Sequence, residues 1–357
     1  MTLLLSNGDV DRLLSMRECI DALDLAYRDL AAGRGTDRRR SDSFVAGPSE
    51  GSLYSLKSMD GIAPAFGVGA VRIDSDVVTW PTRAGNARRE KVPAASGGRF
   101  VGLVLLFSSE TGEPLAIFPD GYLQRLRVGA TNGLAADRLA RADARTVGLL
   151  GSGWQAGGQA MAICAVRTVE RIRCYSTDRE HREAFAREWS EKLGVAVEPV
   201  GSPEAAVRSA DVVLCATNTI DNVFFERWVE PGMHLSSIKR PEIEPAAIRR
   251  ADRVVIHARD ASPIHVVAAG IDVPEVREGK GWKLLGEIDF ASLPQLHDVV
   301  AGTVPGRARA DEVTCFLNNI GRGYQFAAAG GALYRKAKAL GAGRELPTEW
   351  FTQDVHP

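Results

Sequence analysis

The chain contains, near its middle, the stretch Val147-Gly148-Leu149-Leu150-Gly151-Ser152-Gly153-Trp154-Gln155-Ala156. Its first half is apolar without polar alternation, which is typical of a strand buried on both faces. Its second half has the spacing G-x-G-x-x-A, and a helical pattern continues to about Arg167. Gly151 permits a tight turn, Gly153 lets the backbone approach a pyrophosphate, and Ala156 allows close packing of helix on strand. We therefore predict that this strand, turn and helix bind a nucleotide.

The composition is that of an ordinary globular protein, and 357 residues are enough for two domains. The formal charge of -1 gives no electrostatic reason to expect nucleic acid or a membrane surface as a partner, and the run Arg38-Arg39-Arg40 is too short to change this. The cysteines and histidines are scattered, so we expect free thiols in a reducing compartment and no protein metal site. Without a signal-peptide pattern or an apolar run of membrane-spanning length, we expect a cytoplasmic protein.

Before the G-x-G-x-x-A segment, residues 151–156, which we call the fingerprint, the sequence predicts a region of mixed helices and strands. Ser15-Met16-Arg17-Glu18 reads as a capping box that begins a helix, and Gly33 ends it. The apolar runs 100–107 and 114–118 flank Glu110-Thr111-Gly112-Glu113 and predict a β-hairpin. The first run is apolar on both faces, so a helix layer or a partner subunit must cover each side. The basic segment Trp80 to Gly98 has no period, and we expect a long exposed loop there.

After the fingerprint, strands alternate with helices, which predicts a parallel sheet with helices on both faces. The fold class is therefore α/β, with a Rossmann-type doubly wound parallel sheet (residues 126–319) inserted in a second α+β domain (residues 1–125 plus 320–357). The further strands predicted are Ile172 to Ser176, Val195 to Val200, Asp211 to Thr217, Met233 to Ile238, Arg253 to Ala258 and Glu312 to Leu317; helical patches are Pro203 to Ser209, Pro263 to Ala269 and Pro294 to Ala301, with a final helix from Ile320 to Leu340.

Several segments follow one another in the order found in a known family. They are Thr111-Gly112-Glu113-Pro114-Leu115-Ala116, Leu126-Arg127-Val128-Gly129-Ala130-Thr131, the fingerprint itself, Gly232-Met233-His234, and Gly306-Arg307 followed by Asp311-Glu312-Val313-Thr314-Cys315-Phe316. As a set they resemble the ornithine cyclodeaminase and mu-crystallin family, which also contains ketimine reductases, alanine dehydrogenases and opine-type dehydrogenases. The resemblance implies a homodimer whose N-terminal domains share an antiparallel sheet. It also implies an active site in the cleft between the substrate-binding and dimerisation domain and the nucleotide domain.

The resemblance further implies roles for basic residues of the first domain. Arg127 and Arg40 correspond to the arginines that bind a substrate carboxylate, although Arg38 and Arg39 compete with Arg40 in register. The family also uses a lysine to activate the imine or amine. Lys57 resembles the cyclodeaminase pattern, whereas Arg72 stands where most other members have their lysine. An arginine in that role could orient or polarise the substrate but could not serve as a base.

A second departure from the family lies after Gly232-Met233-His234. Cyclodeaminases place a catalytic aspartate shortly after this motif, but residues 235–242 are shortened and carry none. Ammonia elimination and recyclisation therefore lose their expected acid or base. Arg240-Pro241 is closer to the mu-crystallin and ketimine-reductase type, and Glu242 or Lys239 is a candidate proton donor. His234 is more typical of a structural residue in this turn.

The cofactor expected is NAD(P), bound by the fingerprint residues Gly151, Ser152, Gly153, Trp154, Gln155 and Ala156. Ser176 stands about where an acidic residue would bind the ribose 2′-hydroxyl of NAD. A serine at this position, followed by Thr177 and Arg179, slightly favours NADP, whereas Asp178 favours NAD. Thr217 and Asn218 end a buried strand on its carboxyl side, where such sheets bind ligands, and Ser236 on the next strand is predicted with them.

The sequence leaves three functions open. The first is an NAD(P)-dependent reductase or dehydrogenase of a small imine or 2-amino acid that carries a carboxylate, in which hydride passes between the nicotinamide and an imine carbon. The second is an ornithine-type cyclodeaminase, which recycles its cofactor and lacks its aspartate here. The third is a cofactor-binding accessory protein that catalyses little.

Overall fold

The computed structural model describes residues 1–83, 86–87, 89–219, 221–239, 242–259, 262–273 and 288–355. The chain divides into two compact units. The first consists of Met1–Arg127, Ser262–Glu278 and Gly321–Pro357, and the second of Val128–Ala261 and Gly279–Ile320. The sequence-based boundaries differ from this division mainly at 262–278, which they leave in the nucleotide domain.

The first unit is built on one large, mostly antiparallel sheet. Its strands follow the order β17-β3-β4-β5-β9-β10-β1-β19, with β2 beside β4 and β8 beside β5. The short strands β6 (Thr82–Arg83) and β7 (Asn86–Ala87) pair with each other. The strands of the large sheet are β1 (Thr2–Leu4), β2 (Thr36–Asp37), β3 (Ser41–Ala46), β4 (Leu53–Ala63), β5 (Val68–Thr79), β8 (Glu90–Val92), β9 (Val101–Ser108), β10 (Pro114–Pro119), β17 (Ile264–Val267) and β19 (Arg344–Leu346).

Helices cover one face of this sheet. The helices here are α1 (Asn7–Leu13), α2 (Met16–Ala31) and α9 (Gly323–Leu340), and α3 (Gly121–Leu139) begins in this unit. The predicted capping box at Ser15 and Glu18 is confirmed, because each side chain bonds the other's backbone N–H. Small residues let α9 lie close to the sheet: an added Cβ at Gly323 would come within 2.1 Å of the Asp60 carbonyl oxygen.

The predicted hairpin is also confirmed, as β9 and β10 pair in antiparallel fashion. Two other expectations for this unit are wrong. Trp80 to Gly98 is not wholly a loop, because β8 pairs with β5 and adds to the sheet; residues 84, 85 and 88 lie outside the described residues. The patch Pro263 to Ala269 contains strand β17, which pairs in parallel with β3. Its Ile264-His265-Val266-Val267 run is β-branched at three of four positions, and that preference prevails over the proline helix-start signal.

The second unit contains the predicted doubly wound sheet. Its strands follow the order β13-β12-β11-β14-β15-β18-β16, and every neighbouring pair is parallel. Its strands are β11 (Thr146–Leu150), β12 (Arg171–Tyr175), β13 (Ala196–Pro199), β14 (Val212–Cys215), β15 (His234–Ser237), β16 (Arg253–Ile256) and β18 (Thr314–Leu317). Its helices include α4 (Trp154–Val166), α5 (Arg179–Leu193), α6 (Pro203–Val207), α7 (Pro245–Arg249) and α8 (Leu296–Val300).

Strand β11 is buried on both faces, as its unbroken apolar run predicts. Val147 and Leu149 pack into one apolar cluster, and Leu150 packs into the other. The cysteines are free thiols, and all but Cys164 are buried. Among the described helices, none combines the length and apolar composition needed to cross a membrane.

Candidate active site

The fingerprint turn joins β11 to α4 through two glycines that have different surroundings. Gly151 has φ of +120°, and an added Cβ would lie 2.2 Å from the carbonyl oxygen of Ala216 on the adjoining strand. Its N–H donates to the carbonyl oxygen of Tyr175 at 2.8 Å. Gly153 has an extended φ of -83°, and an added Cβ would meet nothing within 4 Å. Gly151 is therefore required by the fold, whereas the space in front of Gly153 is open.

The start of α4 has the features of an anion site. Gly153 is its N-cap and supplies no side-chain acceptor, so the first N–H groups of the helix have no side-chain cap. Gln155 in the first turn has a buried Oε1 with no hydrogen-bond partner among the residues that the structure describes. A diphosphate fits helix N–H groups that no side chain caps, and a bound donor fits the amide oxygen of Gln155, so the residues present suit a dinucleotide.

Beyond β12, hydrogen bonds tie the fingerprint to the first turn of α5. Ser176 Oγ donates to the carbonyl oxygen of Asp178 at 3.2 Å, and Ser152 Oγ donates to Ser176 Oγ at 2.8 Å. Ser152 Oγ also lies 2.8 Å from Nδ1 of His181. Because each hydroxyl has one hydrogen to give, Nδ1 of His181 must be the donor in this last bond. His181 thereby joins the group predicted to select the adenosine end, although nothing in the sequence pattern singled it out.

The other predicted residues at this end have defined positions. Asp178 caps α5, and its Oδ1 accepts from the N–H of His181 at 2.9 Å. Arg179 is exposed and pairs with Glu183, the two side chains being 2.7 Å apart. Thr177 is exposed as well. The carboxylate of Asp178 is thus engaged by the helix, which removes the main sequence argument for a free acidic group near Ser176.

At the carboxyl end of β14, Glu242 holds two chain segments together. Its Oε1 accepts from the N–H and the hydroxyl of Thr217 at 2.6 and 2.8 Å, and its Oε2 accepts from the N–H of Ile238 at 3.0 Å and of Lys239 at 3.3 Å. The side chain is fully buried, and burial raises its pKa against the opposing effect of these donors. Its position is that of a brace for the turns at 217–218 and 238–239. Residues 240 and 241 lie outside the described ranges.

The other residues considered at this end of the sheet differ in how exposed their side chains are. Asn218 is exposed after β14. Ser236 is fully buried and accepts from Nδ2 of Asn132 at 2.8 Å, which places it in the packing between α3 and the sheet. His234 is likewise buried, with Nδ1 at 2.9 Å from Thr314 Oγ1, and burial lowers its pKa to about 3. His234 is therefore a neutral structural residue in this unit.

In the first unit, Arg72 lies on the buried face of β5 between two carboxylates. Its Nε and Nη2 contact Oδ2 of Asp120 at 2.7 and 2.6 Å, and its Nη2 lies 3.2 Å from Asp74 Oδ2. Burial alone would lower the pKa of Arg72, but these carboxylates raise it above its usual value. Gly102 makes room for the arrangement, because an added Cβ there would lie 2.1 Å from Asp120 Oδ1.

Arg127 lies on α3 and is the last residue of that helix that belongs to the first unit; its guanidinium is buried. It donates to Oε1 of Gln325 at 2.9 Å and lies 5.0 Å from the ring centre of Phe326, with Arg72 5.7 Å from the same ring. Burial, with the nearby charges of Arg72 and Arg40, lowers the pKa of Arg127 to about 9. Arg40 itself is partly exposed and pairs with Asp42 at 2.7 Å. These cations repel one another, and a bound anion would relieve the repulsion.

Lys57 lies on the same buried sheet face. Its Nζ is 3.7 Å from Asp76 Oδ2, and Lys91 contacts both Asp76 and Asp74, at 2.8 and 3.2 Å. Burial and the charge of Arg89 lower the pKa of Lys57 to about 8. Asp74 and Asp76 are not among the site residues that the sequence patterns predict. The sequence did contain a signal for these two residues. In Arg72-Ile73-Asp74-Ser75-Asp76, charged residues alternate with uncharged ones, so a strand places all three charged side chains on one face.

Within the described ranges, no group of three or more His, Cys, Asp and Glu side chains could hold a metal ion. The fold and these two sets of residues define a class: an α/β dinucleotide-binding fold that also has a unit with buried arginines. Residues 1–323 match the ornithine cyclodeaminase/mu-crystallin family, and the chain belongs to that family.

Similar proteins include enzymes with named activities. The chain is 29% identical over 349 residues to a Delta(1)-pyrroline-2-carboxylate reductase of Bacillus cereus, covering 96% of this chain and 99% of the relative. It is 25% identical over 353 residues to an alanine dehydrogenase of Archaeoglobus fulgidus, covering 97% and 98%. Among solved structures, the Thermococcus litoralis Delta(1)-pyrroline-2-carboxylate reductase in complex with NADH and L-proline has a TM-score of 0.77 at 26% identity, covering 97% of this chain and 100% of that one.

Proposed function

We propose that this protein is an NAD(P)-dependent oxidoreductase that reduces a small imine carrying a carboxylate next to the imine carbon. The named activities of its relatives support a reductase of this kind. The substrate class is that of Delta(1)-pyrroline-2-carboxylate. The reverse reaction is the oxidation of the corresponding 2-amino acid.

The observation that carries this proposal is the buried guanidinium of Arg127. Burial and the neighbouring cations Arg72 and Arg40 lower its pKa to about 9, so an added negative charge at this place would stabilise the charged guanidinium. A planar carboxylate would compensate it through two parallel hydrogen bonds. Arg127, assisted by Arg40, would therefore fix the substrate, and Arg72 would orient or polarise the group beside the carboxylate.

The fingerprint residues Gly151, Ser152, Gly153, Trp154, Gln155 and Ala156 would hold the cofactor diphosphate at the start of α4. The nicotinamide supplies hydride for the imine carbon when it is bound. Thr217 and Asn218 would line its nicotinamide end, and the brace formed by Glu242 would keep the turn at Thr217 in place. Lys239, whose N–H donates to the same carboxylate, would be held in this loop.

We favour NADP over NAD as the preferred cofactor. The supporting observation is that Ser176 directly follows β12 and that Asp178, the acidic residue nearest to it in the chain, is engaged as a helix cap. Ser176 and His181 place no carboxylate at this end of the sheet, so no negative charge of theirs opposes a 2′-phosphate. Arg179 and Thr177 lie within the same turn and could add to this selection.

A homodimer is proposed as the assembled form. The face of the large sheet opposite to the helices carries partly exposed apolar side chains on the strands β3, β4 and β9. Such a patch on a sheet face is typical of a surface covered by a partner. Its members are Val45, Leu56, Ile62, Val101 and Leu103, each between 40 and 46% exposed.

The test is to follow the absorbance of NADPH and NADH with Delta(1)-pyrroline-2-carboxylate, with other cyclic imines, and with keto acids plus ammonia or amines. We expect cofactor oxidation matched by formation of the amino acid. Cofactor binding without turnover of any member of this panel would contradict the proposal and favour an accessory protein. Ammonia release from ornithine without net change in reduced cofactor would favour a cyclodeaminase instead.

A further inference from the structure

The chain just before helix α9 leaves room for the guanidinium of Arg127. Gly321 lies two residues before the helix, and an added Cβ there would come within 2.6 Å of Nη1 and 2.9 Å of Nη2 of Arg127. A side chain at position 321 would therefore displace the guanidinium. Arg127 and the segment that begins at Gly321 both belong to the first unit. The start of α9 is thus a direct neighbour of the predicted carboxylate-binding group.

Gln325 supplies a hydrogen-bond acceptor for this guanidinium. Its side chain is fully buried. Its Oε1 accepts from Nη1 of Arg127 at 2.9 Å and from the N–H of Arg322, the N-cap of α9, also at 2.9 Å. The side chain of Arg322 is anchored in turn, because its Nε donates to Oδ2 of Asp37 at 2.7 Å. The amide oxygen of Gln325 therefore has a fixed place in the fold, and it holds Nη1 of Arg127 there.

The next residue of α9, Phe326, packs its ring against the same guanidinium. The ring centre lies 5.0 Å from Cζ of Arg127 and 5.7 Å from Cζ of Arg72, and the ring is fully buried. Both distances are in the range of a cation–π interaction. Arg72 is itself held by the carboxylate of Asp120. One aromatic ring therefore lies beside two cations and helps to hold Arg127 relative to Arg72.

The two arginines are held by groups of different charge. Asp120 is a carboxylate, and it offsets the charge of Arg72. The amide of Gln325 is neutral, so it orients Arg127 without offsetting its charge. Burial and the charge of Arg72 lower the pKa of Arg127 to about 9, against the effect of Asp120. A substrate carboxylate would therefore meet a guanidinium that its partner on α9 positions but does not neutralise.

We propose that Gln325 is a positioning residue that selects substrates with a carboxylate. It holds one edge of the Arg127 guanidinium through a neutral acceptor, and the charge of Arg127 is left for the substrate anion. Phe326 assists by holding the same guanidinium beside its ring. Gln325 acts through Arg127 and not on the reacting atoms. This inference rests on the proposed reductase function, and in particular on Arg127 as the group that binds the substrate carboxylate.

The experiment separates the two properties of Gln325, its hydrogen bond and its neutrality. Gln325→Glu keeps an acceptor of nearly the same shape and adds a negative charge, whereas Gln325→Met removes the acceptor and adds no charge. Gln353→Glu is the matched control, because Gln353 is an exposed glutamine of the same unit. For each variant, kcat and KM are measured with the best imine of the panel above, and the Kd of NADPH is measured by fluorescence.

The two variants should raise KM for different reasons. In Gln325→Glu, we expect KM for a carboxylate-bearing imine to rise about 30-fold or more, because the new carboxylate neutralises Arg127 and repels the substrate. In Gln325→Met, KM should rise about tenfold or more, the usual effect of losing a hydrogen bond to a charged group. In both, kcat should stay within about threefold of wild type, since the reacting atoms are unaltered. The Kd of NADPH in both variants, and every parameter of the control, should stay within about twofold of wild type.

A double variant separates positioning from a general structural role. If Gln325 acts through Arg127, adding Gln325→Met to Arg127→Met should change KM by less than about twofold. A structural role would instead add the full effect of Gln325→Met in that background. Binding of the amino acid product to the protein saturated with oxidised cofactor gives a readout without turnover, and its Kd should follow KM across the variants.

Several results contradict the inference in distinguishable ways. Wild-type KM in folded Gln325→Glu and Gln325→Met would remove Gln325 from substrate binding and leave the reductase function standing. A loss confined to kcat, or full additivity with Arg127→Met, would do the same, since either would mean a structural role. Gln325→Asn, which withdraws the acceptor by one methylene, replaces a variant that circular dichroism shows to be unfolded. A wild-type protein that binds NADPH but reduces no member of the panel would overturn the proposed function and, with it, the role of Gln325.

Discussion

The two fingerprint glycines should respond in opposite ways to the same substitution. In Gly151→Ala, a side chain must adopt φ of +120° and place its Cβ 2.2 Å from the Ala216 carbonyl oxygen. A backbone held in such a region costs about 1–3 kcal/mol. Forcing β11 and β14 apart adds about 1–3 kcal/mol, as overpacking usually does. We therefore expect the free energy of unfolding to fall by about 2–6 kcal/mol.

Gly153→Ala is the matched partner. Its φ is ordinary and its added Cβ meets nothing within 4 Å, so the free energy of unfolding should change by no more than about 1 kcal/mol, the scale of an N-cap change. The new methyl group would occupy the space that a diphosphate needs. We expect the Kd for NADPH to rise about tenfold or more while the fold persists.

The assays are urea unfolding for both variants and a fluorescence titration with NADPH and NADH. The reasoning would be refuted if Gly151→Ala unfolded within about 1 kcal/mol of wild type, or if Gly153→Ala bound the cofactor as tightly as wild type. The second result would mean that the diphosphate does not approach the start of α4.

Three further outcomes test other parts of the site. Arg127→Met should raise the KM for a carboxylate-bearing imine about 30-fold or more, because losing one side of a buried charge pair costs about 2–5 kcal/mol; steady-state kinetics showing an unchanged KM would remove the clamp. Ser176→Asp should shift the ratio of the NADPH and NADH Kd values about tenfold or more toward NADH, and an unmoved ratio would place the 2′ position elsewhere. His234 has a pKa lowered from 6.5 to about 3, so the unfolded chain takes up a proton in that window that the native protein does not. Stability should therefore fall as pH falls from 6.5 toward 3, by at most about 1.4 kcal/mol per unit from this group, and urea unfolding of His234→Asn should show a smaller fall.

The sequence predicted the nucleotide unit well because its signals are local. An unbroken apolar run, two glycines and the βα alternation all act within a few residues, and β11 to β15 appear where these patterns place them. The capping box at Ser15 is of the same kind. Each of these features depends on neighbours in the chain rather than on distant pairing.

Predictions failed or stayed open where pairing between distant strands decides the outcome. Strand β17 exists because β3 offers it a partner, and β8 exists because β5 does. The choice between Lys57 and Arg72 depended in the same way on the register of β4 and β5, which pairs Lys57 with Asp74. Asp120 approaches Arg72 only because Gly102 leaves room, a relation that no local pattern contains.

The buried thiols give the protein an internal reporter of local opening. Burial raises the pKa of Cys19 to about 12, and the same holds for Cys315, so neither forms the reactive thiolate while its surroundings stay closed. Cys19 is the one cysteine in the sequence of the first unit, and Cys315 belongs to the second. The rates at which a thiol reagent modifies these two positions would therefore report separately how often each unit exposes its interior, without any engineered label.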